Sequence, residues 1–171
     1  MREHGIEFTI VEPQSIESST DPNPCMRAKQ NAKEKVLSVS ERFPESLIIG
    51  ADTIVYTAGL FFGKPKTPEE AKNMLRQLSG NTHSVFTGIA LLDTMNDKLI
   101  SDCGESHVRF KNLSQSAIDE YVESGEPLDK AGAYAIQGGG VAFIDGYSGS
   151  WSNIVGLPME LLMAHLVKFH Q

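Results

Sequence analysis

Cysteine is scarce in this chain. Cys25 and Cys103 are the only two, too few for a disulfide framework and without zinc-binding spacing. Two isolated thiols suit a reducing, intracellular setting. Long apolar runs are also missing, and none approaches the ~20 residues that a membrane span needs. The opening residues, MREHGIEF, contain no apolar core of a secretory signal, so a cytoplasmic location with no membrane partner is expected. Positive charge is in deficit, with 15 Lys and Arg against 22 Asp and Glu and a net charge of −7. A nucleic-acid polymer is bound by displacing counterions with surplus Lys and Arg, so no such partner is expected. A small phosphorylated ligand stays open, because it needs only a few local cations or a metal ion held by carboxylates. The phosphate-cradling pattern GxxxxGK[ST] is absent as well. The five histidines, His4, His83, His107, His165 and His170, have no metal-ligand spacing and read as structural or solvated.

What is present fits one soluble domain. The 171 residues are 40% hydrophobic and 22% charged, enough to bury a sizeable core. Strand-like and helix-like segments alternate, which favours an α/β or α+β fold. A charged helix is predicted over 26–42, after a turn in which Pro22 and Pro24 hold the chain out of helix until about Cys25. Residues 46–56, with the apolar run Leu47-Ile48-Ile49 and, past Asp52, Ile54-Val55, then predict a buried strand that ends in something polar. The next helix is the clearest. Thr67 is a good N-cap, Pro68 suits the first position, Glu70 completes a capping box and Gly80 closes the end. Strands are predicted over 83–92 and 98–110, a helix from Ser114 to Gly125, a short strand over 141–144 and a last helix over 158–169.

Four polar segments interrupt this pattern. In the first, Asp52 follows an apolar strand, where a carboxylate is costly unless it is bonded or holds a metal. It reads as the cap of a turn, or as a metal ligand or general base. In the second, Gly63-Lys64-Pro65, a lysine beside a rigid neighbour is either an exposed turn residue or a point charge for phosphate. The third, 126–140, mixes charges with glycines that allow close approach of a ligand to backbone. The fourth, 148–158, places Ser148, Ser150 and Ser152 ahead of a helix, a place where anions bind, and holds Trp151, which is either a stacking surface or core. Cys103 has no local base partner and reads as an ordinary thiol.

Taken together, GADTIV (50–55), GKP (63–65), MLRQLSGNTHSVFTG (74–88), SGEPLDKAGAYAIQG (124–138) and GSWSNIVGLP (149–158) resemble the Maf family in order and spacing. The resemblance implies an α/β fold, a mixed twisted sheet flanked by helices, with two lobes around a nucleotide cleft. It implies hydrolysis of a nucleoside triphosphate to the monophosphate and pyrophosphate with a divalent metal, Mg²⁺ or Mn²⁺. Asp52 takes the position of the proton acceptor and of a metal ligand, and Glu17 that of a second metal ligand. Lys64 and Lys130 match positions facing the phosphates, while Thr53 and Gln137 match positions linked to base choice. The DKAGAY and IQG forms resemble the branch acting on dTTP and UTP. Asn31 falls where the family often has lysine, and Lys29 or Lys33 is the expected substitute. Family members usually carry a strand and a Ser-x-x-Arg loop before the stretch matching Gly5-Ile6-Glu7-Phe8. Residues 1–171 therefore read as a single Maf-like domain without that opening segment, lacking one phosphate-binding arginine.

The residues agree with this chemistry. A triphosphate needs cations such as Lys64, Lys130 and a metal to disperse its charge. Gln137 offers both a donor and an acceptor, the complement of a uracil or thymine edge. Two other readings stand beside the pyrophosphatase: a catalytically impaired nucleotide-binding protein acting through a partner, and a purine-directed enzyme of the inosine triphosphate type. Gln137 and DKAGAY argue against the last. A homodimer is compatible with the sequence.

Overall fold

The computed structural model describes residues 1, 5–14 and 17–169. Its frame is a five-stranded sheet in the order β2-β1-β3-β4-β5, formed by β1 (Leu47–Thr57), β2 (Leu60–Phe62), β3 (Thr82–Asp93), β4 (Lys98–Phe110) and β5 (Ile144–Ser148). The sheet was expected to be mixed, but every strand pairing among the described residues is antiparallel. Helices α1 (Pro24–Ser40), α2 (Pro68–Leu78), α3 (Gln115–Glu123), α4 (Trp151–Val155) and α5 (Met159–Leu166) cover it. No helix among the described residues is long and apolar enough to cross a membrane.

The capping signals work as read. Thr67 Oγ1 accepts from the Glu70 N–H at 3.1 Å, and Ser114 Oγ from the Ala117 N–H at 3.2 Å. The predicted start of α1 is corrected slightly. Pro24 is helical rather than an obstacle, because Asn23 caps the helix by accepting from the Met26 N–H at 3.0 Å. Two other expectations are corrected. The first strand runs Leu47–Thr57, close to the expected 46–56, but Asp52, expected at its end, lies in its middle, within the run from Leu47 to Tyr56 that pairs with β3. Residues 141–144 are not a strand: Gly139–Phe143 form a 3-10 turn, and β5 begins only at Ile144. The last helix also ends in a 3-10 turn, Val167–Phe169.

Apolar packing among the described residues falls in three clusters. The largest joins α2, α3 and the 131–143 turns to one half of the sheet through Leu75, Leu78, Val108, Phe110, Ile118 and Tyr134. Smaller clusters pin α1 and α5 to the other half, through Ala32, Val36, Ala90 and Leu92 and through Ile89, Leu91 and Leu162. Helix α1 lies very close to the sheet because it meets glycines. A Cβ on Gly88 would sit 2.3 Å from the Ala28 backbone, and one on Gly50 2.7 Å from Val36 Cγ1. This close approach carries the polar residues of α1 to the middle of β1. β2 covers only Val55 to Thr57, so among the described residues no strand pairs with the edge of β1 beside Asp52 on that side.

Candidate active site

A cleft of about 380 Å³ lies against this edge of β1, within the range of small-ligand sites. Glu17, Asp52, Thr53, Lys64, Lys130 and Gln137, picked out from four separate stretches of sequence, all line it. Strand alternation splits the two neighbours on β1. Asp52 faces α1, whereas Thr53 faces α4, next to Thr87 and Gly156.

Asp52 is buried, with only 5% of its surface exposed, and both of its oxygens are held. Asn31 Nδ2 donates to Oδ2 at 2.9 Å, and Lys35 Nζ lies 2.6 Å from Oδ1. The same ammonium lies 3.0 Å from Glu17 Oε1 and 3.2 Å from the Ala51 carbonyl. Burial pushes the Asp52 carboxyl above its ordinary value; Lys35 and Asn31 pull it back, and the Glu17 charge opposes them. Glu17 is also raised by burial, but Lys35 more than offsets this and holds it below its ordinary value. Lys29 and Lys33 are therefore not the substitutes for a lysine at Asn31. Lys35, one helical turn further on, brings its ammonium to the carboxylates. Sequence reading missed it because a lysine in a charged helix looks like a solvated face.

The far wall is residues 129–137. Gly132 (φ 71°) and Ala133 (φ 60°) are both left-handed, and Ala133 is fully buried. A non-glycine residue in that region stores strain of about 1–3 kcal/mol, a mark of loops shaped for function. Gly132 is required, since a Cβ there would press on the Val55 side chain at 3.0 Å. Glu126 ties the loop down: Oε2 accepts from the Gly139 N–H at 3.0 Å and Oε1 from the Tyr121 hydroxyl at 3.1 Å. That hydroxyl also accepts from the Ala135 N–H at 3.1 Å. Tyr134 is anchored by His83, whose Nε2 lies 2.8 Å from its hydroxyl.

Three lysines, Lys35, Lys64 and Lys130, line the cleft. Lys130 pairs with its neighbour Asp129 at 2.7 Å, an exposed pair of little energetic weight that a stronger anion can replace. Lys64 lies near enough to both acidic groups to contribute to holding Glu17 and Asp129 low, after the larger effects of burial and Lys35 on Glu17 and of Lys130 on Asp129. Two carboxylates on one wall fit a hard divalent cation that takes its remaining ligands from phosphate and water. No group of three metal-ligating side chains exists among the described residues.

Residues 148–158 differ from expectation. The hydroxyls of Ser150 and Ser152 are spent on Glu160 Oε2, at 2.9 and 2.7 Å, and so do not form an anion cradle. Trp151 is neither core nor cleft; it is 39% exposed and packs on Tyr147 with ring centroids 5.4 Å apart. Cys103 is a poor nucleophile, pushed up first by burial and then by the adjacent Cys25 thiol. His83 and His165 are structural, the latter bonded to Asp102 at 2.8 Å, while His107 is exposed; His4 and His170 lie outside the described residues.

Comparison with known proteins decides the lineage. The family model described as Maf-like protein matches residues 1–169. The chain belongs to the Maf family. Relatives named dTTP/UTP pyrophosphatase resemble it closely. One from Pelotomaculum thermopropionicum is 45% identical over 172 residues, 99% of this chain and 89% of that protein. One from Clostridium perfringens is 42% identical over 166 residues, 95% of this chain and 86% of its own length. One from Dictyoglomus thermophilum is 38% identical over 164 residues, 95% and 85% of the two chains. This Maf chain holds its polar side chains where antiparallel strands, the close-packed helix α1 and the lashed 129–137 loop converge.

Proposed function

We propose that this protein hydrolyses nucleoside triphosphates, dTTP and UTP in particular, to the monophosphate and pyrophosphate. The observation that carries the reading is the convergence of Asp52, Glu17, Lys64, Lys130, Thr53 and Gln137 on one cleft. Its support is the family membership and the activity for which relatives 38–45% identical are named.

In this reading the triphosphate lies along Lys64 and Lys130, whose ammoniums disperse its charge as point contacts. Asp52 orients a water molecule and accepts its proton. The water oxygen bonds to the α-phosphorus as the bond from that phosphorus to the α–β bridging oxygen breaks, and pyrophosphate leaves. Lys35 keeps Asp52 and Glu17 fixed while this occurs. Asp52 and Glu17 would hold a divalent cation, Mg²⁺ or Mn²⁺, whose chemistry is to neutralise phosphate charge and polarise the reacting centre. Thr53 and Gln137 contact the base. The amide of Gln137 donates to a ring carbonyl of the base.

Pyrophosphate release from a panel of triphosphates, with Mg²⁺, with Mn²⁺ and with chelator, tests the proposal. Release that is fastest for dTTP and UTP and lost with chelator is expected. Nucleotide binding without release under any condition would favour a binding protein that acts through a partner.

A further inference from the structure

The hydroxyl of Thr87 sets the hydrogen-bond polarity of Thr53. Thr87 is fully buried in β3, and its Oγ1 lies 2.8 Å from the backbone carbonyl of Asn153. A carbonyl only accepts, so the single Thr87 proton goes to Asn153. Thr53, the facing residue on β1, has its Oγ1 3.0 Å from Thr87 Oγ1. With the Thr87 proton committed, that contact forms only if Thr53 donates. Thr53 Oγ1 is then left with lone pairs and no proton to offer the cleft.

The arrangement is locked from behind. The Asn153 carbonyl takes a second bond from the Gly156 N–H at 3.1 Å, which fills its acceptor capacity. The Asn153 side chain, 1% exposed, donates to the Val85 carbonyl and to Ser106 Oγ, each at 3.0 Å. Thr53 and Gly156 both line the cleft, and a Cβ on Gly156 would come within 3.2 Å of Thr53 Oγ1.

We propose that Thr87 is a specificity-determining positioning residue. By making Thr53 an acceptor only, it selects a nucleobase that presents N–H there and turns away one that presents a lone pair. Uracil and thymine carry N3–H, whereas N3 of cytosine is a lone pair. The inference rests on the reading that Thr53 faces the base, and it leaves the Gln137 amide donor for the flanking ring carbonyl. A threonine hydroxyl free to rotate would serve either base, so discrimination arises one residue behind the contact.

The test compares kcat/KM for dTTP and dCTP, and calorimetric binding of dTMP and dCMP, in Thr87→Val, Thr87→Ala, Thr87→Ser and Thr53→Val. Loss of the Thr87 hydroxyl frees the Thr53 proton, so Thr87→Val and Thr87→Ala should raise the dCTP to dTTP ratio about tenfold, the scale of one relieved unpaired polar contact. The monophosphate binding ratio should move likewise, a readout that survives loss of turnover. Thr87→Ser should restore the parent ratio. Ratios unchanged in Val and Ala while Thr53→Val alters them would overturn the role of Thr87. An unchanged ratio in Thr53→Val as well would remove Thr53 from base reading, and this inference with it.

Discussion

Lys35 Nζ lies 2.6 Å from Asp52 Oδ1, on the helix residue four after Asn31, whose amide holds the other oxygen of the same carboxylate. Burial favours the neutral acid at Asp52, and Lys35 opposes it. Replacing Lys35 with methionine leaves burial and the Glu17 charge acting with only Asn31 against them. The Asp52 pKa then rises, so the acid limb of the pH–rate profile for kcat/KM should move to higher pH. Lys35→Arg, which keeps the charge, should stay close to the parent limb. A methionine variant with an unshifted limb would separate Lys35 from the ionisation of Asp52.

Asp52→Asn tests the base directly. The amide is nearly isosteric and can still meet Lys35 with its oxygen, but it accepts no proton. Pyrophosphate release should fall by ~10²–10⁴-fold, the usual scale of general-base catalysis, with a melting transition close to that of the parent. Turnover near the parent rate in a folded Asn variant would remove Asp52 from the chemistry.

These two residues also mark where sequence reading succeeds and stops. Asp52 drew attention because a carboxylate breaks an apolar run, a local signal. Its place in mid-strand was less legible, because a carboxylate directly after an apolar run looks like a strand end. Gly50 is small because Val36 and the Ala32 carbonyl press on it from α1, a contact set by tertiary packing. Lys35 carried no local signal at all, since its partners are 17 residues along the chain in Asp52 and 18 back in Glu17. Caps such as Thr67 and Ser114, by contrast, act within one turn and were readable. The apolar run 141–144 misled for the opposite reason. The glycines before it allow a tight 3-10 turn, and the following strand IDGYS is defined by backbone pairing to β4, not by an apolar pattern. The Thr53–Thr87 pair needed the β1–β3 register, which no single segment encodes.

Gln137→Ala separates base reading from phosphate binding. Gln137 is exposed at the cleft on a loop that Glu126 and Tyr121 hold in place, so truncation should not disturb the fold. Removing its amide leaves a ring carbonyl of the base unpaired. The preference for dTTP over GTP should therefore shrink by about five- to a hundredfold, on the scale of one unpaired buried polar group, while inhibition by pyrophosphate changes little. An unchanged dTTP to GTP ratio would place base selection on other residues.

The last prediction concerns stability in acid. His83 is 2% exposed, and burial pushes its pKa down to about 4 from the usual 6.5. Its Nε2 meets the Tyr134 hydroxyl, and its Nδ1 has no hydrogen-bond partner among the described residues. Protonation would put a proton on both nitrogens and leave a buried donor unpaired. In the unfolded chain the same imidazole binds a proton near pH 6.5. Between that value and about 4, the unfolded state therefore holds more protons, and stability falls as pH falls. Above pH 6.5 this contribution is complete and flat. The difference corresponds to at most ~3 kcal/mol across the window. His83→Phe, which keeps an aromatic ring against Phe110 and Tyr134, sacrifices the hydrogen bond but should flatten the fall in unfolding free energy between pH 6.5 and 4.5. The carboxylates that titrate lower are common to both proteins and cancel in the comparison. Parallel stability curves for parent and variant would mean that His83 is already protonated inside the fold, and that the His83–Tyr134 contact does not anchor the cleft loop as a neutral pair.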